Sequence, residues 1–444
     1  MSEPVNKAPR HQYEAFLCQL PADWDHQEIT QLGAVVGGGT PSREVPSFWL
    51  GPIPWVTPGE VSGEASKLLH DTQEHISPSG LAGSGANLLP AGSLLVTTRA
   101  TLGARAINAV PMATNQGFKS IVFKKPEEAS YYYHLFEKVK PELVRRASGT
   151  TFLEISGAEF GSIKLPSPSP EEKLKIAELL DTLDTAIRQT EAIVDKLKQV
   201  KQGLLHDLLT RGVDANGELR PSYEQAPELY QDSPLGWVPK AWDVVTLESV
   251  SHTVTSGSRD WARFYADSGA LFVRIGNLTR EHINFRYEST IYVRPPRNAD
   301  GQRTRLESGD ILISITADLG IIGVVPDGMG EAYINQHIAL VRPNLSIINP
   351  RFVGHYLASP VAQTYISKLN DSGAKAGLNL PTIRSLITAK PIGDEQDVIA
   401  TRLDEIDKRI QNATTESAKL RELKSGLMDD LLTGRVRVTP LLAQ

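Results

Sequence analysis

Two stretches of the chain, residues 166–211 and 391–444, carry apolar residues at alternating steps of four and three. This spacing is typical of the a and d positions of a coiled coil, so each stretch is predicted to contain a long helix. Ser169 and Pro170 suit the N-cap and the first position of the earlier helix. Roughly 40 residues at about 1.5 Å each would give a rod of about 60 Å. The predicted helix-pairing positions are Ile176, Leu180, Leu183, Ile187, Leu197 and Leu204 in the first stretch, and Ile399, Leu403, Ile406, Ile410, Leu420 and Leu427 in the second.

Elsewhere the pattern changes to short β-branched or aliphatic runs separated by Gly, Pro, Ser and Asn. Such runs predict the short strands of an antiparallel or mixed sheet. Segments 131–145 and 350–369 are predicted to be helices. The predicted strands lie at 94–98, 120–123, 271–275, 311–315 and 338–341, and further strand-like runs lie at 29–36 and 244–254. The chain is therefore expected to belong to the α+β class.

The chain repeats one unit twice. The matching segments are Pro-x-x-Trp ending at Trp24 and Trp242, Leu-x-x-Gly-x-Leu/Ile-Leu around Gly92 and Gly309, Leu-Gly ending at Gly103 and Gly320, Asn-Gln ending at Gln116 and Gln336, and Ser-Gly ending at Gly149 and Gly373. In the helical stretches the offset is 223 residues without a gap, so that Asp181 and Asp184 match Asp404 and Asp407. The globular halves have drifted apart while the helices have stayed alike.

The repeat divides the chain into four predicted parts. These are a first globular domain at 1–165, a first helical spacer at 166–211, a linker with the second globular domain at 212–390, and a second helical spacer with a tail at 391–444. The expected architecture has two similar globular domains separated by two long antiparallel coiled-coil helices, with an internal pseudo-two-fold repeat.

Two packing arrangements are open for the helices. They could pair with each other in antiparallel fashion, since the chain crosses a whole domain before it returns. Alternatively, each helix could pack on its own globular half. A long and narrow apolar stripe favours a helical partner. Lys201 and Lys424 occupy equivalent stripe positions, and they are expected to snorkel or to mark where the seam opens.

Composition limits the class of protein. With 444 residues, 40% hydrophobic and 22% charged, the chain is typical of a soluble protein of two or three domains. It has no uncharged apolar run long enough to span a membrane and no apolar segment of a signal peptide. Cys18 is the only cysteine, which excludes an internal disulfide, and a cytoplasmic location is expected. The net charge of −6 counts against a nucleic-acid partner unless the basic residues are clustered.

Motifs of catalysis are absent from the sequence. There is no phosphate-binding G-x-x-x-x-G-K-[ST] motif, no H-E-x-x-H or other clustered metal spacing, and no Asn/Asp-Pro-Pro-aromatic motif of an amino-methylating enzyme. The glycines at 37–39 lack the third glycine of a dinucleotide-binding fingerprint and are interpreted as a tight loop. No catalytic residue and no metal ligand is therefore predicted.

Polar and basic residues on the predicted turns are candidates for DNA contact, because such side chains bond both phosphates and base edges. Each of them taken singly is more often a solvated surface residue, whereas the group on turns near strand ends favours DNA contact. Trp24 and Trp242 are interpreted as packing anchors rather than stacking platforms. The candidate DNA-binding residues are Thr40, Ser42, Arg43, Arg99, Thr101, Arg105 and Lys119 in the first half, and Ser256, Ser258, Arg259, Arg263, Arg274, Asn277, Arg280 and Lys375 in the second.

This order of motifs, repeated once, resembles the specificity subunit of type I restriction–modification systems. The resemblance covers nearly the whole chain, and its most specific parts are the duplicated helices, the linker 233–242 and the Ser-Gly-Thr-Thr segment at 148–151; the second copy departs from the last with Ser-Gly-Ala-Lys at 372–375. It implies that each globular half is a target recognition domain for one part of an asymmetric bipartite site in double-stranded DNA. It also implies that the helices set the spacing and dock two methyltransferase subunits. Restriction and translocase subunits would join them, and S-adenosylmethionine, ATP and Mg would bind to those partners, with no cofactor in this chain.

Two other classes of function remain open. A stand-alone methyltransferase or nuclease would bind S-adenosylmethionine or cut DNA without partners. A coiled-coil scaffold would bind proteins through its halves without sequence-specific DNA binding, and the acidic balance is compatible with it.

Overall fold

The computed structural model describes residues 11–63, 66–99, 101–148, 153–259, 261–295, 299–371 and 378–442. The chain forms two compact units, residues 1–190 with 416–444 and residues 191–415. Each unit therefore takes a part of both long helices, whereas the predicted parts kept each helix whole. Within the described ranges, no helix is long and apolar enough to cross a membrane.

The first unit contains a five-stranded sheet covered by a long helix. The sheet has the order β2-β9-β6-β7-β4, in which β9 lies between β2 and β6 and is antiparallel to both. A smaller sheet has the order β5-β3-β8 and a two-stranded ribbon joins β1 to β10. The elements are α1 (Gln12–Cys18), β1 (Asp25–Glu28), α2 (Ile29–Leu32), β2 (Gly33–Gly37), β3 (Trp49–Val56), β4 (Leu68–Leu69), β5 (His75–Ile76), α3 (Pro78–Ala82), β6 (Leu94–Thr97), β7 (Arg105–Asn108), β8 (Ala113–Thr114), β9 (Phe118–Phe123), α4 (Ala129–Arg146), α5 (Gly157–Gly161), β10 (Lys164–Ser167) and the first part of α6 (Pro170–Thr210).

The second unit repeats this plan with additions. Its central sheet has the order β14-β21-β18-β19, and a second sheet has the order β15-β17-β16-β20. The elements are β11 (Tyr230–Gln231), β12 (Val238–Pro239), β13 (Asp243–Thr246), β14 (Ser251–Ser256), β15 (Tyr265–Ala266), β16 (Ala270–Val273), β17 (Tyr292–Val293), α7 (Ala299–Thr304), β18 (Ile311–Ser314), β19 (Ile322–Val324), β20 (Ala332–Ile334), β21 (Ile338–Pro343), α8 (Pro350–Ala358), α9 (Pro360–Asp371), α10 (Leu380–Ser385), β22 (Ile387–Lys390) and the first part of α11 (Gly393–Leu431); α12 (Thr439–Leu442) follows α11 in the first unit.

The strand registers confirm the internal repeat. Leu94 pairs with Ile107 and with Ile121 in the first unit. Ile311, its equivalent, pairs in the same way with Val324 and Val341. The ribbon is repeated as well, since β13 pairs with β22 as β1 pairs with β10. The two halves thus share a sheet core despite the drift of their sequences.

The predicted stripes of both helices are buried or half-buried at every pairing position. In the first unit Asp184 on α6 bonds Lys424 on α11, and Glu172 accepts bonds from Arg437 beyond the end of α11. An early residue of α6 thus contacts a late one of the other segment, so the helices run antiparallel. The alternative arrangement is also partly right, because Leu180 packs in the core of the first globular half as well as against Leu431.

Three predictions of local structure were wrong. The run 29–36 begins as the one-turn helix α2 before β2, because the Glu28 carboxylate and the Gln31 amide cap that turn. The predicted helix 350–369 is broken between α8 and α9 at Ser359, since the residue before a proline disfavours the helical region. The run 244–254 is divided into β13 and β14 by the 3-10 turn Glu248–Val250. The linker that leads into the second copy contains β11, which pairs with β12.

Both repeated tryptophans are packing residues, as predicted. Trp24 is 5% exposed and belongs to the core of the first unit with Leu180. Trp242 is 1% exposed and packs with its edge toward Phe352 in the second. Both side chains thus bury a large aromatic surface at the entry to each half.

Candidate nucleic-acid interface

One edge of the central sheet in the first unit collects most of the candidate residues. β2 and β6 end at this edge, and β9 begins there, because β9 is antiparallel to both. The loop after β2 carries Thr40, the loop after β6 carries Arg99 and Thr101, and β9 opens with Lys119 one residue in. We call this edge, formed by residues 38–43, 98–99, 101 and 114–119, the loop edge of the first unit.

The repeated Asn-Gln pair holds the loop edge in shape. The Asn115 side-chain oxygen accepts the backbone N–H of Gly117 at 2.8 Å, which makes a tight turn before β9. The Thr98 N–H donates to the Gly117 carbonyl at 2.8 Å and joins this turn to the end of β6. Gly38 lies so close that a Cβ on it would stand 2.0 Å from the Asn115 carbonyl oxygen. Only glycine allows this approach of two backbones.

The same scaffold is built at the equivalent edge of the second unit, which we call the loop edge of the second unit. Asn335 accepts the backbone N–H of His337 at 3.2 Å, and Ile315 donates to the His337 carbonyl at 3.0 Å. A Cβ on Gly257 would stand 2.0 Å from the Asn335 carbonyl oxygen. The repeated asparagine therefore has a structural role, and its neighbours Gln116 and Gln336 are placed at equivalent positions of the loop edge.

Several candidates of the first half are engaged within the protein. Arg43 bonds the Glu74 carboxylate and its guanidinium lies 3.7 Å from the centre of the Trp49 ring. Lys119 has its ammonium 3.8 Å from the Glu154 carboxylate. Arg105 opens β7 but bonds the Tyr133 carbonyl at 2.5 Å and Glu137 on α4. Arg105 is thus committed to a contact between sheet and helix, which corrects its placement among the turn residues; Thr40 and Ser42 are exposed.

The second half divides in the same way. Asn277 is 2% exposed and uses its side-chain amide on the backbone of Arg274 and Arg286, so it holds a turn in place. Arg280 bonds Asp318 at 2.5 Å. The DNA-contacting role of both residues stays a prediction. Ser256 and Ser258 lie at the loop edge, Arg259 and Arg263 are exposed, Arg274 bonds the Ser289 carbonyl, and Lys375 lies outside the described residues.

Sequence reasoning missed two residues of the second loop edge. Arg303 on α7 donates to Ser258 at 2.6 Å and to Thr255 at 2.7 Å, and so brings a cation to the end of β14. His337 bonds the Thr316 hydroxyl at 2.6 Å. His337 directly follows the repeated Asn-Gln pair, and that position was the available signal.

A buried histidine–aspartate pair joins each sheet domain to a long helix. In the first unit His134 on α4 lies 2.7 Å from Asp181 on α6, and Ser130 and Lys67 also donate to this carboxylate. Burial lowers the pKa of His134, and the aspartate opposes this only in part, so the imidazole is neutral and donates from Nε2. Burial alone would raise the pKa of Asp181, but the bonds from His134 and Lys67 outweigh it and hold that pKa below its usual value.

The second unit contains the equivalent pair. His355 on α8 lies 2.7 Å from Asp404 on α11, and Arg351 donates to the same carboxylate at 2.6 Å. Burial lowers the pKa of His355, whereas for Asp404 the bonds from His355 and Arg351 outweigh burial and lower the pKa. The arrangement is therefore a neutral histidine beside a charged aspartate in both units.

His134, Asp181 and Asp184 are close enough to one another to hold a metal ion. Lys67 bonds Asp181, however, and Lys424 bonds Asp184, so each carboxylate already has an ammonium partner. Because an ammonium group already compensates the charge of each carboxylate, this group of residues does not fit a divalent metal ion. We therefore interpret the group as a hydrogen-bonded contact between helices.

A groove of about 1180 Å³ lies beside α11 in the second unit. Its walls include Ile283, Phe285 and Ile410, and Asp407 contributes a buried carboxylate. One oxygen of Asp407 bonds Lys201, and the other has no partner among the described residues. The groove can take an apolar segment that brings a hydrogen-bond donor.

Comparison with known proteins gives the chain a family. A sequence profile described as the type I restriction modification DNA specificity domain matches twice, at residues 21–199 and 239–422. The two matches follow the internal repeat.

Individual relatives agree with the profile. The MjaIX specificity subunit of a type I restriction enzyme of Methanocaldococcus jannaschii is 28% identical over 270 residues, which cover 60% of this chain and 61% of that protein. The MjaVIII specificity subunit of the same organism is 24% identical over 95% of both chains. The crystal structure of a type I S subunit from M. genitalium superposes with a TM-score of 0.61 at 14% identity, over 93% of this chain and 98% of that one, which shows the shared fold.

Proposed function

Because this chain belongs to the family of type I restriction–modification DNA specificity subunits, we propose that each globular half reads one part of a split target in double-stranded DNA. The chain performs no chemistry itself. The observation that carries the proposal is the loop edge, which is built twice on the same asparagine and glycine scaffold but with different exposed side chains. Two domains that recognise different DNA sequences require the same backbone scaffold with different side chains on its surface.

The side chains at equivalent positions of the two loop edges differ in charge and size. Thr40 of the first unit corresponds to Arg259 of the second, and Gly117 corresponds to His337. Arg99 corresponds to Thr316. Different donors and acceptors favour different base edges, so the two half-sites should differ and the full target should be asymmetric.

The helices are proposed to set the spacing and to dock two methyltransferase subunits. Val200 on α6 and Leu423 on α11 are equivalent in the repeat, and they are 42% and 51% exposed. Apolar side chains exposed at matching places support two like docking surfaces. The groove beside α11 supports a protein partner on this side as well. Restriction subunits would complete the complex in the cytoplasm, and S-adenosylmethionine, ATP and Mg would bind to the partner subunits.

Co-expression with the methyltransferase subunits of the same system tests the proposal. Methylation mapping of the host genome should show one asymmetric bipartite site. Replacing residues 20–150 with those of a relative should change one half-site only, whereas a change in both would contradict modular reading. Inserting four residues within 185–200 should lengthen the accepted gap, and an altered half-site with the same gap would contradict the spacer role.

A second experiment addresses the loop edge. Arg99→Gln and Lys119→Gln should each reduce the slope of log affinity against log salt by about 0.9 if each side chain contacts one phosphate. Glu178→Gln, on the exposed face of α6, serves as the control. An unchanged slope in both variants would remove these two residues from the interface.

A protein-binding scaffold is the second candidate, and the net charge of −6 favours it. The scaffold predicts no sequence dependence of DNA binding in the assembled complex. Competition between the mapped target and a scrambled duplex distinguishes the two functions.

A further inference from the structure

We propose that the pairs His134–Asp181 and His355–Asp404, in each of which a buried imidazole bonds a half-buried carboxylate, are positioning contacts that hold each reading domain at one angle on its long helices. They would thereby restrict the gap between half-sites that the complex accepts. This inference rests on the proposed function. We call each pair, with the cation that bonds its aspartate, an angle contact.

The angle contacts lie where each domain meets the helices. His134 is on α4, which packs against the central sheet, and Asp181 is on α6. Both histidines are 1% exposed. The surrounding contacts are apolar, such as Leu135 with Leu180 in one core. Apolar contacts are non-directional and tolerate small rotations, whereas a buried hydrogen bond fixes both distance and direction.

Each angle contact is continued onto the other long helix. Asp184 lies one turn after Asp181 and bonds Lys424 of α11 in the first unit. In the second unit Asp407 follows Asp404 and bonds Lys201 of α6 at 2.5 Å. Every unit therefore has two aspartates one turn apart, of which the first holds the domain and the second holds the neighbouring helix. A rotation of the domain on the helices would break the first bond and leave buried polar groups without partners.

The cation that bonds the first aspartate comes from different positions in the two units. The Lys67 carbonyl accepts the Ile107 N–H at 2.8 Å, as the Ile283 carbonyl accepts the Val324 N–H at 2.9 Å, so position 67 corresponds to 283. These carbonyls accept the N–H groups of equivalent strand residues. The first unit thus has a lysine where the second has an isoleucine.

The reverse exchange occurs on the helix. Ser130 precedes His134 by four residues, as Arg351 precedes His355. The second unit thus has an arginine where the first has a serine. The ionic contact has survived while both residues that could supply it have changed. Packing alone would not require a cation at this aspartate, so the contact itself is what has been retained.

The test uses the complex of this chain with its methyltransferase subunits. The substrates are duplexes that carry both mapped half-sites with gaps one or two base pairs shorter and longer than the natural gap. The measured quantity is the ratio of the methylation rate at the natural gap to the rate at the best altered gap. Lys67→Ile and Asp181→Asn should each lower this ratio by about tenfold, the order expected for the loss of one buried charged hydrogen bond. The half-site sequences should stay the same.

Rescue separates positioning from general damage. The double variant Lys67→Ile/Ser130→Arg gives the first unit the arrangement of the second, and it should restore the ratio to within about twofold. Glu178→Gln removes an ion pair within α6 and should leave the ratio unchanged. If Asp181→Asn does not fold, the variants Lys67→Ile and Lys67→Ile/Ser130→Arg test the positioning role without it.

An unchanged ratio in Lys67→Ile, with normal methylation at the natural gap, would overturn the proposal. A ratio that falls in Lys67→Ile but is not restored in the double variant would also overturn it. Failure of the proposed function is seen separately, because the unaltered complex would then methylate without any dependence on the two half-sites.

Discussion

Replacing Lys201 with methionine should destabilise the second unit far more than the same change at the equivalent Lys424 destabilises the first. The Lys201 side chain is 11% exposed and its ammonium lies 2.5 Å from an oxygen of Asp407, which is 1% exposed. The same ammonium donates to the Glu281 carbonyl at 2.6 Å. Because the second oxygen of Asp407 has no partner among the described residues, removal of the lysine leaves a buried charge uncompensated.

The magnitudes follow from this difference in burial. Breaking a buried pair by removing one partner costs about 3–5 kcal/mol, which is roughly 150- to 5000-fold in the unfolding equilibrium. Lys424 and Asp184 are 22% and 23% exposed, so water can solvate the remaining aspartate. Loss of that pair should cost about 1–2 kcal/mol. Removal of both charges in Lys201→Met/Asp407→Leu should be close to neutral, since a pair of apolar residues can replace a buried ion pair.

Native-state hydrogen exchange read by mass spectrometry suits a chain of two units, because it reports the opening free energy of each region separately. Peptides from 393–415 should lose protection in Lys201→Met, and peptides from 170–190 should lose less in Lys424→Met. Equal losses in the two variants would refute the argument from burial. A large loss in the double variant would refute the assignment of the cost to the unpaired carboxylate.

Two further predictions concern the first unit. Gly38→Ala should lower the free energy of unfolding by roughly 1–3 kcal/mol, because the added Cβ would stand 2.0 Å from the Asn115 carbonyl oxygen. Thermal melting measures the effect, and Gly37→Ala, where the added Cβ meets open space, is the control. Equal melting temperatures of the two variants would contradict the prediction. Because burial holds the pKa of His134 below its usual value, the unfolded chain binds its proton first, so this contribution to stability is complete above about pH 6.5 and is lost as the pH falls below it. His134→Gln keeps a donor to Asp181 but does not titrate. Between pH 7 and 5, the slope of unfolding free energy against pH, measured by denaturant titration, should therefore fall by up to about 1.4 kcal/mol per pH unit in this variant. An unchanged slope would show that the imidazole is not the source of the pH dependence.

Features with a local cause were predictable from the sequence. The long helices follow from a periodic stripe and from Ser169, whose hydroxyl accepts the Glu172 N–H at 3.2 Å at the start of α6. The central strands follow from short apolar runs between turn residues, and the repeat follows from direct comparison of the two halves. The break at Ser359 was also readable, because Pro360 follows it.

Features that depend on distant contacts were not predictable. Arg105 is of a type that contacts DNA, but it bonds the helix α4, which is distant in sequence. Asn277 is also of that type, but its side chain is buried and holds its own turn. The division of both helices between two units has no local signature either. The histidine–aspartate pairs left a partial signal, since Asp181 and Asp404 are equivalent in the gap-free repeat, but their partners on α4 and α8 are known only from the fold.

The exchanged cations also constrain the order in which mutations could have accumulated. From an ancestor with one cation, loss of Lys67 before an arginine arose at position 130 would leave the half-buried Asp181 carboxylate without a cation beside a neutral histidine. Gain of the second cation first passes through an intermediate in which two cations share one half-buried carboxylate, which hydration can tolerate. Divergence of the two halves is therefore expected to proceed by gain before loss, and the effect of a substitution at position 67 depends on which residue already stands at position 130. Because the two substitutions depend on each other, an alignment analysed one position at a time would not reveal the retained contact.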